Sequence, residues 1–99
     1  MQQQKKREEY RRIAVDILVD ELPSLRAKIG ISQEQLAEYI GLSRQTLSAI
    51  ETRKRSISWQ TFLSIVLYFT INTKTNTTLK LLPGFIEALQ KCFDYDESE

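Results

Sequence analysis

Apolar residues recur at helical spacing through the first third of the chain. The regularly placed positions are Ile13, Ile17, Leu22, Leu25 and Ile29. Intervals of three to five residues predict a helix. Pro23 interrupts this pattern, because a proline inside a helix loses one backbone hydrogen bond and clashes with the preceding turn, at a cost of about 3 kcal/mol. We therefore expect either a kink near residues 19–22 or a helix end there, with a second helix beginning at Pro23.

Two short amphipathic helices are predicted next. Ser32 is placed to cap the first, with Gln35 completing a capping box, and Gly41 is placed to end it. Ser43 is placed to cap the second. The inward apolar positions of the two helices are Leu36, Ala37, Ile40, Leu47 and Ile50. Two short helices separated only by residues 41–43 predict a helix-turn-helix at about residues 32–52.

The rest of the chain predicts two or three further helices. Ser58 is placed to cap a helix from Trp59 to about Phe69. Its apolar face consists of Phe62, Leu63, Ile65, Val66 and Phe69. Residues 70–78 are mostly Thr and Asn and predict a loop, although Asn76 is also able to cap a short helix ending at Leu82.

The final helix is predicted to run from Gly84 to Phe93, with Pro83 as a favourable first residue. Its apolar stripe consists of Phe85, Ile86, Leu89 and Phe93. The chain as a whole therefore predicts an all-α bundle of five to six helices. We divide it into an N-terminal helical extension (1–21), a helix-turn-helix domain (22–70), a C-terminal helical extension (71–93) and an acidic tail (94–99).

Length and composition narrow the class of protein. The chain has 99 residues, of which 41% are hydrophobic and 27% charged, as in an ordinary soluble domain. Its longest apolar run, residues 65–69, is far shorter than the roughly 20 residues that a bilayer requires. The basic N-terminus is not followed by the apolar stretch of a signal peptide. Cys92 is the only cysteine, so no disulfide can form within the chain, and we expect a cytoplasmic protein without membrane contact.

Catalytic and metal chemistry are poorly supported by the residues present. The chain contains no histidine, which excludes Ser-His-Asp and Cys-His triads and zinc sites that need imidazole. A lone cysteine cannot build an all-cysteine zinc site, and no Gly-rich phosphate loop is present. We therefore expect no enzymatic activity, no metal and no cofactor.

The distribution of charge is more informative than the formal net charge of +1. Basic residues cluster at residues 5–7, 11–12 and 53–55, whereas four acidic residues fall within residues 94–99. Local basic clusters are typical of proteins that contact nucleic acid. The folded part of the chain is therefore more basic than the total suggests.

Residues 22–69 resemble the DNA-binding domain of the Xre and lambda-repressor-like family. The matching segments are Leu25-Arg26-Ala27-Lys28-Ile29-Gly30, Ser32-Gln33-Glu34-Gln35-Leu36-Ala37, Gly41-Leu42-Ser43-Arg44-Gln45-Thr46 and Ile50-Glu51. Two positions depart from the family pattern, which often has Gly where this chain has Arg53 and Pro where it has Ile57. Arg53 is then expected either to adopt a strained left-handed conformation or to follow a helix that ends differently.

This resemblance implies a regulator that binds double-stranded DNA with a recognition helix at residues 44–52 in the major groove. Arginine pairs well with guanine and glutamine with adenine, and a small apolar residue can contact the thymine methyl group. The expected base-reading residues are Arg44, Gln45, Ser48 and Ala49. The expected phosphate contacts are Gln33, Ser43, Thr46, Arg53, Lys54 and Arg55. The family also implies a structural ion pair between Arg26 and Glu51.

One short recognition helix touches only a few base pairs, so we expect a homodimer on a two-fold operator. A small core cannot cover two apolar stripes on one chain without leaving exposed patches, so we expect the C-terminal stripe to be the first interface candidate and the N-terminal helix the second. The N-terminal stripe consists of Ile13, Ala14, Val15, Ile17, Leu18 and Val19. The alternative function is an antitoxin-type or other protein-interaction module on the same fold. A partner protein would then bind through residues 71–93 or 1–21.

Overall fold

The computed structural model describes residues 2–93, with side chains from residue 5 onward. This part of the chain forms six α-helices and contains no strand, which confirms the all-α prediction. The helices are α1 (Gln2–Ile29), α2 (Gln33–Ile40), α3 (Arg44–Glu51), α4 (Trp59–Ile71), α5 (Asn76–Lys80) and α6 (Phe85–Phe93). None of them is long and apolar enough to cross a membrane. The predicted acidic tail, residues 94–99, lies outside the described residues.

The first helix continues through Pro23 over 28 residues. Pro23 is exposed, whereas Leu22 and Leu25 are fully buried. Burial of a leucine side chain contributes about 1.5–3 kcal/mol, so the two leucines together offset the cost of about 3 kcal/mol for the proline. A second helix that begins at Pro23 is therefore wrong. The predicted boundary after residue 21 falls inside α1, so the N-terminal extension and the helix-turn-helix domain share one helix.

Short-range capping sets the ends of the next three helices as the sequence predicts. The Ser32 hydroxyl accepts from the Gln35 amide at 3.0 Å, and the Gln35 side chain accepts from the Ser32 amide at 2.9 Å. Gly41 ends α2 in the left-handed conformation, with φ of 87°. Ser43 and Ser58 cap α3 and α4, each by accepting a backbone N–H at 3.1 Å. These caps satisfy donors that a helix start leaves unpaired.

The C-terminal helices differ from prediction at their boundaries. α4 extends to Ile71, and Asn76 is the first residue of α5 rather than its cap. Thr75 precedes it, fully buried, and its hydroxyl donates to the Phe69 carbonyl at 2.7 Å. Gly84 has φ of 79°, which a right-handed helix cannot include, so α6 begins at Phe85 and Pro83 lies outside it.

The core lies between α1 and the five helices that follow it. Its largest fully buried apolar side chains are Leu18, Leu22, Leu25, Leu36, Leu47, Phe62, Ile65, Phe69, Leu79 and Phe85. The rings of Phe62 and Phe85 meet edge to face at 6.2 Å, which joins α4 to α6. A single apolar cluster therefore includes side chains from α1 to α6.

The most extensive helix pair in the described chain is α1 with α6. Phe85, Ala88 and Cys92 of α6 are buried, as are Ala14 and Leu18 of α1. The two terminal stripes therefore cover each other only in part, since Phe85 is buried but Ile86 and Phe93 of the predicted α6 stripe stay exposed. The choice of these stripes as a dimer interface stays a prediction. What stays exposed there consists of Ile13, Ile86 and Phe93.

Candidate nucleic-acid interface

The predicted recognition helix, α3, is anchored on one side and open on the other. Leu47 and Ile50 are buried, and α3 packs against α1 and α2. Arg44 and Gln45, at the N-terminal end of α3, are exposed, whereas Ser48 and Ala49 are half-buried. The outward groups at the start of the helix are therefore long and polar, as base readout in a major groove requires.

An open cleft between α2 and α3 contains acidic residues that sequence reasoning did not single out. Glu34 and Glu38 of α2 line it together with Arg44 and Gln45. Their separation by four positions on α2 is the signal that places both carboxylates on one helix face. Carboxylates beside the reading residues repel phosphates and can accept a hydrogen bond from cytosine.

A charged cluster fixes α3 to the two preceding helices. The Arg26 Nε and Nη2 atoms donate to the two carboxylate oxygens of Glu51 at 2.9 and 3.0 Å. The Arg26 and Glu51 side chains are only 16% and 5% exposed. The Gln33 side chain also donates to Glu51, at 2.9 Å. The ion pair implied by the family resemblance is thus present, and it links the end of α1, the start of α2 and the end of α3.

The three neutral residues among the expected phosphate contacts have partners within the chain, yet each set keeps a hydrogen-bond donor free. Gln33 uses one of its two amide hydrogens on Glu51, which leaves the second for an acceptor. The hydroxyls of Ser43 and Thr46 share one hydrogen bond of 2.9 Å. Because each hydroxyl carries one hydrogen, the pair keeps one donor for a phosphate oxygen.

The basic cluster after α3 divides into two parts. Arg53 turns back to α1, where its guanidinium donates to Asp16 and to Asp20, the latter at 3.5 Å. Lys54 and Arg55 are exposed and form no ion pair with any other residue that the structure describes. Sequence reasoning missed Asp16 and Asp20, because their partner lies more than 30 residues away.

Arg53 also occupies the left-handed position that ends α3. Its φ is 64°, and its amide donates to the Ile50 carbonyl at 3.1 Å. The following amide, that of Lys54, donates to the Ala49 carbonyl at 2.8 Å. These two bonds define a Schellman motif, in which glycine is the usual left-handed residue. α3 therefore ends as the family pattern requires, with Arg53 bearing the strain.

We expect Arg53→Gly to be more stable than Arg53→Ala by about 1 kcal/mol, because alanine keeps the left-handed strain and glycine removes it. Both variants lose the contacts to Asp16 and Asp20, so that loss cancels in the comparison. Urea unfolding of the two variants measures the difference. Equal unfolding midpoints would show that the left-handed backbone at this position is not strained.

Comparison with known proteins agrees with this geometry. A family model described as Helix-turn-helix matches residues 24–73, which is half of the chain and extends from the end of α1 past α4. Searches of curated proteins and of solved structures returned no match. The matched family is one of DNA-binding regulators. The chain belongs to the Xre and lambda-repressor-like helix-turn-helix family.

Proposed function

We propose that this protein is a sequence-specific transcriptional regulator that places α3 in the major groove of double-stranded DNA. The observation that carries the proposal is the arrangement of α3, with Arg44 and Gln45 exposed and Leu47 and Ile50 anchored in the core. A major groove admits one α-helix, and residues at the start of such a helix meet base edges.

Each proposed reading residue has a base that fits its chemistry. The Arg44 guanidinium matches O6 and N7 of guanine, and the Gln45 amide matches N6 and N7 of adenine. Ser48 and Ala49 lie one turn further along α3 and are half-buried. Their short side chains suit close contacts: the Ser48 hydroxyl can form a hydrogen bond to a base, and the Ala49 methyl group can touch a thymine methyl group.

Phosphate contacts would hold α3 in register without reading sequence. We assign them to Lys54 and Arg55, which are exposed and, within residues 5–93, have no carboxylate partner of the kind that Arg53 has. Gln33, Ser43 and Thr46 add neutral donors near the helix starts, where the helix dipole favours an anion. Arg53 can join them only by exchanging Asp16 and Asp20 for a phosphate.

A homodimer is part of the proposal because α3 is only eight residues long and presents few reading groups. Two copies on a two-fold operator double the number of base contacts and link the two binding events. The centres of the half-sites would then lie about one helical turn of DNA apart, or a multiple of it.

Selection of bound duplexes from a random pool tests the proposed function. We expect enriched sites that contain two inverted half-sites, each with guanine or adenine at the positions facing Arg44 and Gln45. Absence of any enriched sequence would contradict base readout. It would favour the alternative, an antitoxin-type or other protein-interaction module that binds a partner through residues 71–93.

Lys54→Ala should weaken binding to all DNA sequences alike, because a phosphate contact carries no base information. Loss of one phosphate contact should also lower the slope of log affinity against log salt by about one. Fluorescence anisotropy over a range of salt concentrations measures this slope. Lys80→Ala is the matched control, since Lys80 is likewise an exposed lysine but belongs to α5, which packs against α4 and α6. An unchanged slope for Lys54→Ala would remove this residue from the phosphate contacts.

A further inference from the structure

The fourth helix differs from the rest of the chain in having no charged residue. Residues 56–73 contain no Asp, Glu, Lys or Arg, although 27% of the whole chain is charged. One side of α4 is nevertheless exposed to solvent. A helix at the surface of a soluble domain normally carries charged or polar residues on its exposed side. The lack of charge on the exposed side of α4 is therefore unusual.

The exposed side of α4 carries a regular aliphatic ridge. Leu63, Leu67 and Ile71 follow one another at intervals of four residues and are 37%, 61% and 69% exposed. Leu67 lies two residues from both Ile65 and Phe69, so it points about 160° away from each of these buried side chains. The ridge is therefore not an edge of the core. Together with Ser64 and Thr70 between its members and Gln60 before the first of them, all uncharged and exposed, it forms what we call the α4 outer face.

An aromatic pair extends this face towards α2. Tyr39 of α2 stacks on Tyr68 of α4, with ring centroids 5.6 Å apart and planes inclined by 25°. Tyr39 remains 58% exposed. The stacked pair therefore adds rigid apolar area beside the ridge, of the kind enriched at protein interfaces.

We infer that the α4 outer face packs against the same face of a second copy of this chain, with the two α4 helices antiparallel across a two-fold axis. This inference deepens the proposed function, because it supplies the homodimer with an interface. A two-fold contact must be self-complementary. If the two-fold axis passes beside Leu67, the Leu67 side chains of the two copies meet each other. Leu63 of each copy then lies opposite Ile71 of the other copy, because both residues are four positions from Leu67.

Charge favours a second copy as the occupant. A face without charged side chains meets its own copy without like-charge repulsion, and it offers no charge by which a different protein would be selected. The α4 outer face contains no residue of α3 and none of the residues assigned to phosphate contacts.

The size of the face predicts a weak dimer. A helix of 13 residues is about 20 Å long, which is short for an interface of roughly 800 Å² per partner. We therefore expect association in the micromolar range or weaker, and tighter pairing when both copies lie on one DNA site.

Sedimentation equilibrium of the full chain over micromolar to millimolar concentrations tests the interface. We expect Leu67→Glu and Leu67→Lys each to raise the dimer Kd at least about tenfold, because like charges would face each other at the axis. An equimolar mixture of the two variants should dimerise again. Ile86→Glu, which changes an exposed aliphatic residue of α6, is the control and should dimerise like the wild type. Circular dichroism should show unchanged helix content in all variants.

Three outcomes would overturn the inference. They are a wild-type chain that stays monomeric, a Leu67→Glu variant that dimerises like the wild type, and a mixture that stays monomeric while the wild type dimerises. Binding of DNA that contains a single half-site distinguishes a failure of the α4 interface from a failure of the proposed DNA-binding function. Leu67→Glu should bind a half-site with unchanged affinity and lose affinity only for the full two-fold site. A loss on both would instead implicate the DNA-binding surface.

Discussion

Glu51→Ala is expected to destabilise the fold by about 3 kcal/mol, because it leaves the guanidinium of Arg26 largely buried without its carboxylate. Arg26 is 16% exposed and, among the described residues, would retain only the Ile31 carbonyl as an acceptor, at 3.4 Å. Gln33 would lose the same acceptor. For a domain of this size the change corresponds to a fall in Tm of more than about 10 °C, measurable by circular dichroism.

Glu38→Ala is the matched control, since Glu38 is exposed on α2 and a surface change of this kind costs less than about 0.5 kcal/mol. Equal Tm values for the two variants would contradict a structural role for the ion pair. A second comparison separates charge burial from packing. Replacing both partners, by Arg26→Met with Glu51→Leu, should recover much of the stability that Glu51→Ala loses.

Phe85→Ala is expected to cost about 3–5 kcal/mol, because its ring is fully buried between α1 and α4. The loss should appear as a lower unfolding midpoint in urea. It follows from the position of α6, which closes the core of a single chain against α1. Phe93→Ala is the control within the same helix and involves the same chemical change. Phe93 is 61% exposed, and its replacement should cost less than about 1 kcal/mol.

The variants Phe85→Ala and Phe93→Ala also show whether α6 packs within its own chain or against a second chain. If its stripe formed an interface between two chains, both losses would depend on protein concentration. With α6 packed inside one chain, the effect of Phe85→Ala is independent of concentration. Equal losses for Phe85→Ala and Phe93→Ala would contradict the packing described above.

Features that depend on neighbouring residues were predictable from the sequence. Ser32, Ser43 and Ser58 cap their helices through amides three positions ahead, so the residues that decide each helix start lie within one turn. Gly41 ends α2 for a similarly local reason. These caps fix the turn between α2 and α3, and with it the orientation of the proposed recognition helix.

Features that depend on distant residues were not predictable from periodicity. At Pro23 the local preference for a helix end is overcome by the burial of Leu22 and Leu25. The two terminal stripes were recognisable, but only the path of the chain shows that they cover each other in part. The Arg26–Glu51 pair was expected through family resemblance, since 25 residues separate its members.

The candidate site shows the same division. The exposed face of α3 follows from helical spacing, which places Leu47 and Ile50 inward. The cluster of Arg53, Lys54 and Arg55 looks uniform in sequence, yet Arg53 alone meets Asp16 and Asp20 on α1. That difference depends on tertiary contacts and on the left-handed backbone of Arg53.

The base preference of Arg44→Ala decides whether α3 reads base edges. Binding of the wild type and the variant is measured against the selected site and all its single-base substitutions at one salt concentration. We predict that Arg44→Ala weakens binding to the selected site by about 1–3 kcal/mol and removes discrimination at one or two positions. Gln45→Ala should do the same at neighbouring positions, whereas Lys54→Ala should leave the preference intact. Unchanged affinity and unchanged base preference in Arg44→Ala would contradict the reading of base edges by α3.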